Sequence, residues 1–219
     1  MSNRLVLVVL GKQGAGKGTQ CARLSERYHI PHVSTGDILR AAVKAGTPVG
    51  VEVKEVLDRG ELVSDDLIMR LIEERLSESD AVAGALLDGC TRTLGQAEAL
   101  ENLLGPTGVS LVLNIDVPTE LVTKRLSARR VCQECGTIYT DTDVSAVSGT
   151  CEKCGGDVVQ RADDTPEAIA TRLAAYERDT RPLLDFYAAR GLLVDVDGDQ
   201  SVDAVSDAIH QVLVERGLL

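Results

Sequence analysis

The stretch from Leu5 to Gln20, LVLVVLGKQGAGKGTQ, limits what this chain can fold into more than any other. An unbroken apolar run, Leu5–Leu10, stops at Gly11, and glycines recur at 14, 16 and 18 around Lys17 before a helical pattern takes over. A short buried strand feeding a glycine-rich turn and then a helix forms a cradle for phosphate. Without Cβ atoms in the way, backbone N–H groups converge on phosphate oxygens, and the positive N-terminal end of the helix faces the same anion. Lys17 adds a mobile full charge. An ordinary strand-to-helix turn has no need of four glycines and a lysine. The general phosphate-loop pattern puts Ser or Thr directly after the lysine; here Gly18 stands there and Thr19 follows, which weakens direct side-chain holding of Mg²⁺ at that position.

At 219 residues the chain can bury one sizeable core with a small insert. Aromatic residues are scarce (four Tyr, one Phe, no Trp), so that core has to be built from Leu, Val, Ile and Ala. The net charge of −11 argues against broad nucleic-acid binding, which draws on surplus Lys and Arg. An acidic chain that handles polyphosphate must therefore gather its arginines locally. The apolar run near the N-terminus falls far short of the roughly 20 residues a membrane span needs and leads into the phosphate loop, so a cytoplasmic location without membrane partners is expected.

Strand-like runs at Leu5–Leu10, His32–Ser34, Ala85–Asp88, Leu111–Val117 and Leu192–Val196 alternate with helical stretches. Continuous apolar strands in alternation with helices indicate a parallel sheet covered on both faces, an α/β fold. Helices are expected at about Lys17–Tyr28, Asp37–Ala45, Val49–Asp58, Asp65–Ser77, Leu94–Leu103, Thr119–Ala128 and Ser201–Arg216. Thr165 and Pro166 open another, whose apolar stripe runs through Ile169, Leu173, Tyr176, Leu183 and Tyr187 and which Pro182 should kink or interrupt.

Between Val131 and Gln160 helical periodicity disappears, and Cys, Gly, Thr and Asp dominate. Cys132, Cys135, Cys151 and Cys154 give C-x2-C-x15-C-x2-C, two knuckles that together complete a tetrahedron around one metal, with Gly136 and Gly155–Gly156 where tight turns follow. Four thiolates leave no open position, so the expected role is structural Zn²⁺. Ligation worth on the order of 10 kcal/mol would outweigh the small core of so short an insert. Its charges (Glu134, Asp141, Asp143, Glu152 and Lys153) are net negative and without a stacking platform, which speaks against a nucleic-acid-binding ribbon. Cys21, in the helix after the loop, reads as core.

Three further segments lie just beyond strand ends or between helices: STGDILR from Ser34, GELVSD from Gly60, and DGCTR from Asp88 with Gln96 four residues past Arg92. Ligands in open α/β sheets sit beyond the carboxyl ends of strands. Arginines also frame the insert, with Arg125, Arg129 and Arg130 before it and Arg161 and Arg172 after it.

Taken together, GxxGxGKGT, STGDxLR, GxLVxD, DG-x2-R-x3-Q and RLxxRR…RxDD…R resemble the adenylate kinases, nucleoside monophosphate kinases, in the form with a long zinc-binding lid, over nearly the whole chain. The resemblance implies a P-loop NTPase-like three-layer fold with a five-stranded parallel sheet and a small inserted β-rich zinc lid. It implies a core of residues 1–130 and 161–219, an AMP-holding helical segment at about 34–64, and a lid at 131–160. It also implies a monomer whose partners are ATP, AMP and ADP, with Mg²⁺ carried by ATP. Gly14, Ala15, Gly16, Lys17, Gly18 and Thr19, with Arg125 and Arg129, would then hold ATP. Arg40, Arg92, Arg161 and Arg172 would grip the AMP phosphate, Thr35 and Gln96 would meet adenine, and backbone at Val63 and Gly89 would close the pocket. Lys17, Asp88, Arg92, Arg125, Arg129, Arg161 and Arg172 form the implied catalytic set, Asp88 holding hydrated Mg²⁺; Asp37, Asp163 and Asp164 are secondary candidates, and Arg130 matches less well.

Chemistry explains the arginines. One pair of unit charges 4 Å apart repels by about 4 kcal/mol at an effective dielectric near 20, and two nucleotides present several such pairs. Phosphoryl transfer asks for positioning and neutralisation more than for a covalent partner, and planar guanidinium groups bridge two phosphates where an ammonium does so poorly. The chain departs from the family pattern at Gln13, where proline is usual, and at Cys90–Thr91 in place of Phe-Pro. Losing proline frees the backbone that aims Arg92, so an intact but looser AMP site is expected, with Cys90 either an accessible thiol or a buried inert one. Two alternatives accompany this reading: a kinase for another nucleoside monophosphate, and a catalytically impaired nucleotide-binding zinc-ribbon adaptor.

Overall fold

The computed structural model describes residues 4–219; residues 1–3 of the expected core segment lie outside them. Five parallel strands, β1 (Leu5–Leu10), β2 (His32–Ser34), β3 (Gly84–Asp88), β4 (Leu111–Asp116) and β8 (Leu193–Asp197), form one sheet in the order β2-β3-β1-β4-β8. Alternation along β1 feeds two separate cores. Val6, Val8 and Leu10 face one side with Leu87, Ile72, Leu100 and Leu183, while Leu7 and Val9 face the other with Leu86, Leu24, Val122 and Ile209. Strands with no polar face require such double coverage.

The first core is covered by α2 (Thr35–Ala45), α3 (Pro48–Asp58), α4 (Asp65–Leu76), α5 (Leu94–Leu104) and α9 (Pro182–Ala188). The second is covered by α1 (Lys17–Tyr28), α6 (Thr119–Ala128) and α10 (Val202–Glu215). The expected elements appear with ends moved by a residue or two. The first turn of α2 starts at Thr35, not Asp37, because the Ser34 hydroxyl accepts from Asp37 N and caps it.

Helix α8 (Pro166–Ala175) is capped by Thr165 and runs into a π-helical turn, Tyr176–Thr180, before α9. The break anticipated at Pro182 therefore takes the form of one widened turn, in which Arg181 N donates to Tyr176 O at 2.8 Å. Proline itself becomes an opening residue of α9, where no N–H is needed.

The cysteine-bearing insert folds by itself around β5 (Arg129–Cys132), β6 (Ile138–Thr140) and β7 (Val158–Val159), an antiparallel sheet in the order β6-β5-β7. A short helix, α7 (Val144–Ser148), fills the second knuckle's approach. Its small apolar cluster holds Cys132, Tyr139, Cys151 and Val158, with Ala146 against them, and Val131 on β5 is buried as well.

Candidate functional site

The glycine loop leaves β1 at the sheet's centre, where β3 and β4 flank it, so its opening lies beyond the carboxyl ends of three strands. Gly16, at φ 99°, holds the left-handed conformation that lets α1 begin at Lys17 with its N-terminal amides facing the loop. Lys17 Nζ donates to the carbonyls of Gly11 at 2.8 Å and Lys12 at 2.9 Å, folded back inside the loop it serves. Burial lowers its pKa from 10.5 to about 8, against the opposing pull of Asp88. Gly18 does more than omit a hydroxyl: a Cβ there would stand 3.5 Å from Asp88 Oδ2, so the carboxylate reaches over the start of α1. His32 Nε2 lies 3.3 Å from the same oxygen and steadies it. Cys21 is buried as expected, its thiol pushed up well above 9.0 by burial and by Asp88.

Beside the loop, a cavity of about 550 Å³, counting the space open to solvent, is lined by Thr35, Gly36, Arg40, Val63, Gly89, Arg92, Gln96, Asp163 and Arg172, among others. A smaller one of about 290 Å³ joins it to Lys17 through Gly89 and Arg92 and is also lined by Gln13, Thr91, Tyr176 and Thr180. Helices α2 and α3, the loop after β3, α5 and α8 all contribute, so the sheet end and the helical arm share one space.

The arginines gather here as the acidic balance demands. Burial lowers Arg161 and Arg172 from 12.5 to about 10, with Arg40 and Arg129 repelling the first and Arg129 and Arg92 the second. Arg92 is lowered too, by burial, with Asp88 pulling the other way and Arg40 adding repulsion. Arg40 is held against Asp37, and the Arg92 Nε donates to Gly89 O at 3.2 Å. Arg172 pairs with Asp163 and Asp164, both at 3.1 Å. Arg129 makes a two-pronged pair with Asp164, at 2.6 and 2.8 Å, on a carboxylate with no exposure. Asp163 and Asp164 thus orient both arginines across the junction between insert and core. Arg125 stands apart, donating to Gly198 O in the loop after β8. Arg130 turns to the Ser127 and Arg129 carbonyls, away from the cavity.

Two implied base-contacting residues line the cavity with their polar atoms already engaged. Thr35 Oγ1 donates to Gly89 O at 2.8 Å. Gln96 accepts from Arg92 N at 2.7 Å and donates to Asp65 at 2.7 Å. The expected looseness at Arg92 meets two restraints that sequence reading missed, since Gln96 holds its N–H and Thr180 Oγ1 donates to its carbonyl at 3.0 Å. Thr91, buried at 1% exposure, packs beneath it in place of a proline. Cys90 is wholly buried, its S–H directed at Val33 O, and burial pushes the thiol up to about 12; it is the inert alternative. Lys12, bonded to Val117 O near Asp116, was also missed, though a second lysine in the loop was visible.

In the insert, the Cys132–Cys154 and Cys135–Cys151 sulfur pairs lie 3.4 and 3.6 Å apart. The edge of a tetrahedron with ligands 2.3 Å from zinc is roughly 3.8 Å, so the four thiols fit a structural Zn²⁺. Gly136 N and Gly155 N donate to Cys132 O and Cys151 O, closing each knuckle. Lys44 on α2 reaches across to Glu134 at 2.9 Å and Gln133 O at 3.1 Å, joining the helical arm to the first knuckle.

A family model described as Adenylate kinase matches residues 9–192. A protein named adenylate kinase from Thermodesulfovibrio yellowstonii is 47% identical over 213 residues, spanning 96% of this chain and 99% of its own. Adenylate kinases from Carboxydothermus hydrogenoformans and a Geobacillus species are 45% and 46% identical over 210 residues, 94% of this chain and 98% and 97% of theirs. With more than four-fifths of its length inside the matched region, and relatives alike from end to end, this chain belongs to the adenylate kinase family.

Proposed function

We propose that the loop and the arginine-lined cavity work as one two-nucleotide site, ATP lying on the P-loop side and AMP beneath α2 and α3. The reaction is the family's: reversible transfer from Mg-ATP to AMP, giving two ADP. An oxygen of the AMP phosphate attacks the γ-phosphorus in line, a new P–O bond forms, and the bond to the β–γ bridging oxygen breaks, leaving ADP on each side.

Backbone N–H groups from Gly14 to Thr19 and the Lys17 ammonium hold the ATP phosphates, with Arg125 and Arg129 on their far side. Lys17 exchanges two carbonyls for phosphate oxygens, and the negative charge restores the ammonium that burial disfavours. Arg40 and Arg92 grip the acceptor phosphate, while Arg161 and Arg172 span donor and acceptor. Bringing in phosphate relieves the mutual repulsion of these guanidinium groups, and those charges in turn offset the repulsion between nucleotides. Thr35 and Gln96 face adenine, with Val63 and Gly89 closing the walls. Mg²⁺, arriving on ATP, neutralises the phosphate oxygens, and Asp88, held by His32, is the side chain suited to its hydration shell.

The lid (131–160) moves against the core (1–130 and 161–219) and the AMP-holding arm (34–64), excluding water as a competing acceptor. Zn²⁺ keeps the lid folded and takes no chemical part. Free thiols and a four-thiolate site suit the reducing cytoplasm, and a monomer is typical of the family.

The carrying observation is the crowding of Arg40, Arg92 and Arg172 around one cavity that shares Gly89 and Arg92 with the P-loop pocket, with Arg161 near enough to Arg40 to be repelled by it. ADP formation, followed with AMP, CMP, UMP or GMP as acceptor, tests it. AMP should be strongly preferred, and Lys17→Ala should lower kcat roughly 100-fold or more. Equal low rates in wild type and variant would favour a non-catalytic adaptor.

A further inference from the structure

We propose that Asp65 sets which base the acceptor pocket takes, by locking the polarity of the Gln96 amide so that it pairs with a 6-amino purine and opposes a 6-oxo purine. This rests on the reading that Gln96 meets the base.

A glutamine amide has two orientations, half a turn apart, that occupy the same space. Gln96, 2% exposed, is forced into one by neighbours that cannot change their own character. Arg92 N–H can only donate, and it donates to Oε1 at 2.7 Å. The ionised Asp65 carboxylate can only accept, and it accepts from Nε2 at 2.7 Å. Turning the amide would set oxygen against oxygen at one end and N–H against N–H at the other. A glutamine with a single such neighbour could turn at modest cost; this one faces both.

Asp65 is itself fixed. Its second oxygen accepts from Thr93 Oγ1 at 2.8 Å, and that hydroxyl accepts from Gln96 N at 3.1 Å as the cap of α5. The carboxylate therefore ties the first turn of α4 to that of α5. Gly95 permits the approach, since a Cβ there would stand 3.1 Å from Asp65 Oδ2.

Each amide atom retains one further capacity, a lone pair on Oε1 and an N–H on Nε2. Adenine offers an amine donor and a ring-nitrogen acceptor on adjacent positions, the complement of that locked pair. Hypoxanthine and guanine offer oxygen and N–H with the polarity reversed. With the AMP phosphate and ribose anchored near Arg40 and Arg92, the base cannot turn over to compensate. Asp65 lies behind Gln96 and acts as a positioning residue.

Inosine 5′-monophosphate differs from AMP only in this edge, so the ratio of kcat/KM for the two acceptors isolates the effect. Asp65→Asn presents an amide that can donate or accept, and Asp65→Ser a hydroxyl that can do the same, so either variant frees Gln96 to turn. The expected result is a fall of about tenfold in the AMP preference in whichever variant folds, with the KM for Mg-ATP unchanged. Gln96→Ala, run alongside, should also lower the preference. A preference unchanged in both Asp65 variants but lowered in Gln96→Ala would overturn the lock while sparing the base contact. A preference unchanged in all three would overturn the base contact, and the lock with it.

Discussion

The parallel-sheet core and the cysteine-bearing lid are held together by different physics within one chain. The core buries two apolar layers, one on each face of five strands, from Leu7 and Leu86 on one side to Ile72 and Leu183 on the other. In the lid the buried apolar side chains are Val131, Tyr139, Val158 and two of the four cysteines, far too little to repay the ordering of thirty residues. Four sulfurs within 4.8 Å of one another supply what is missing. A region stabilised by ligation needs no large interface with its neighbour, so it can move without exposing a core. Its link to α2 is correspondingly light: Lys44 with Glu134 is an exposed pair, of the kind worth at most about 1 kcal/mol.

Removing the metal should separate the two regions most sharply. Chelation is expected to cost the lid on the order of 10 kcal/mol of local folding free energy. Amide exchange at 129–160 should lose protection while the parallel sheet keeps its own, and misplacement of the arginines flanking the lid, Arg129 and Arg161, should lower kcat roughly 100-fold. A single cooperative loss of protection would erase the distinction.

A core truncation should do the converse. Leu86 is wholly buried in β3, and Leu86→Ala is expected to cost about 3 kcal/mol in denaturant unfolding with zinc content unchanged. The corresponding lid change, Val158→Ala, should cost about 1 kcal/mol or less if ligation dominates there.

The core's own charge adds a pH-dependent effect. Lys17 has a folded pKa lowered to about 8, so its ammonium is intact below that pH and is lost as pH rises through it. The triphosphate selects the charged form. The KM for Mg-ATP should therefore be flat near pH 7 and rise above pH 8, approaching about tenfold per pH unit. Calorimetry in buffers of different ionisation enthalpy should show proton uptake on ATP binding at pH 9 but little at pH 6.5.

What the sequence disclosed differs between the same two regions. Strand and helix order was legible because apolar runs and 3.6-residue periodicity are local signals, and the metal cluster because C-x2-C spacing is local too. Motif offsets placed Arg92 and Gln96 near one strand end. They could not show that Asp65, 31 residues earlier, holds the Gln96 amide, nor that Thr180, 88 residues later, holds Arg92. Those restraints depend on how α4, α5 and the π turn pack, which no local pattern records. The replacements at Cys90 and Thr91 suggested slack for the same reason: the proline's absence is visible in the chain, whereas its substitutes come from elsewhere in the fold.

In the proposed site a core arginine and a lid-hinge arginine act on one shared pair of phosphates. A double-mutant cycle on Arg92→Ala and Arg161→Ala, read as the Kd of an analogue joining two adenosines through a polyphosphate, addresses it directly. Losses that fail to add, with a coupling of about 1 kcal/mol or more, are the predicted result. Strictly additive losses, or an Arg161→Ala variant that binds as tightly as wild type, would contradict it.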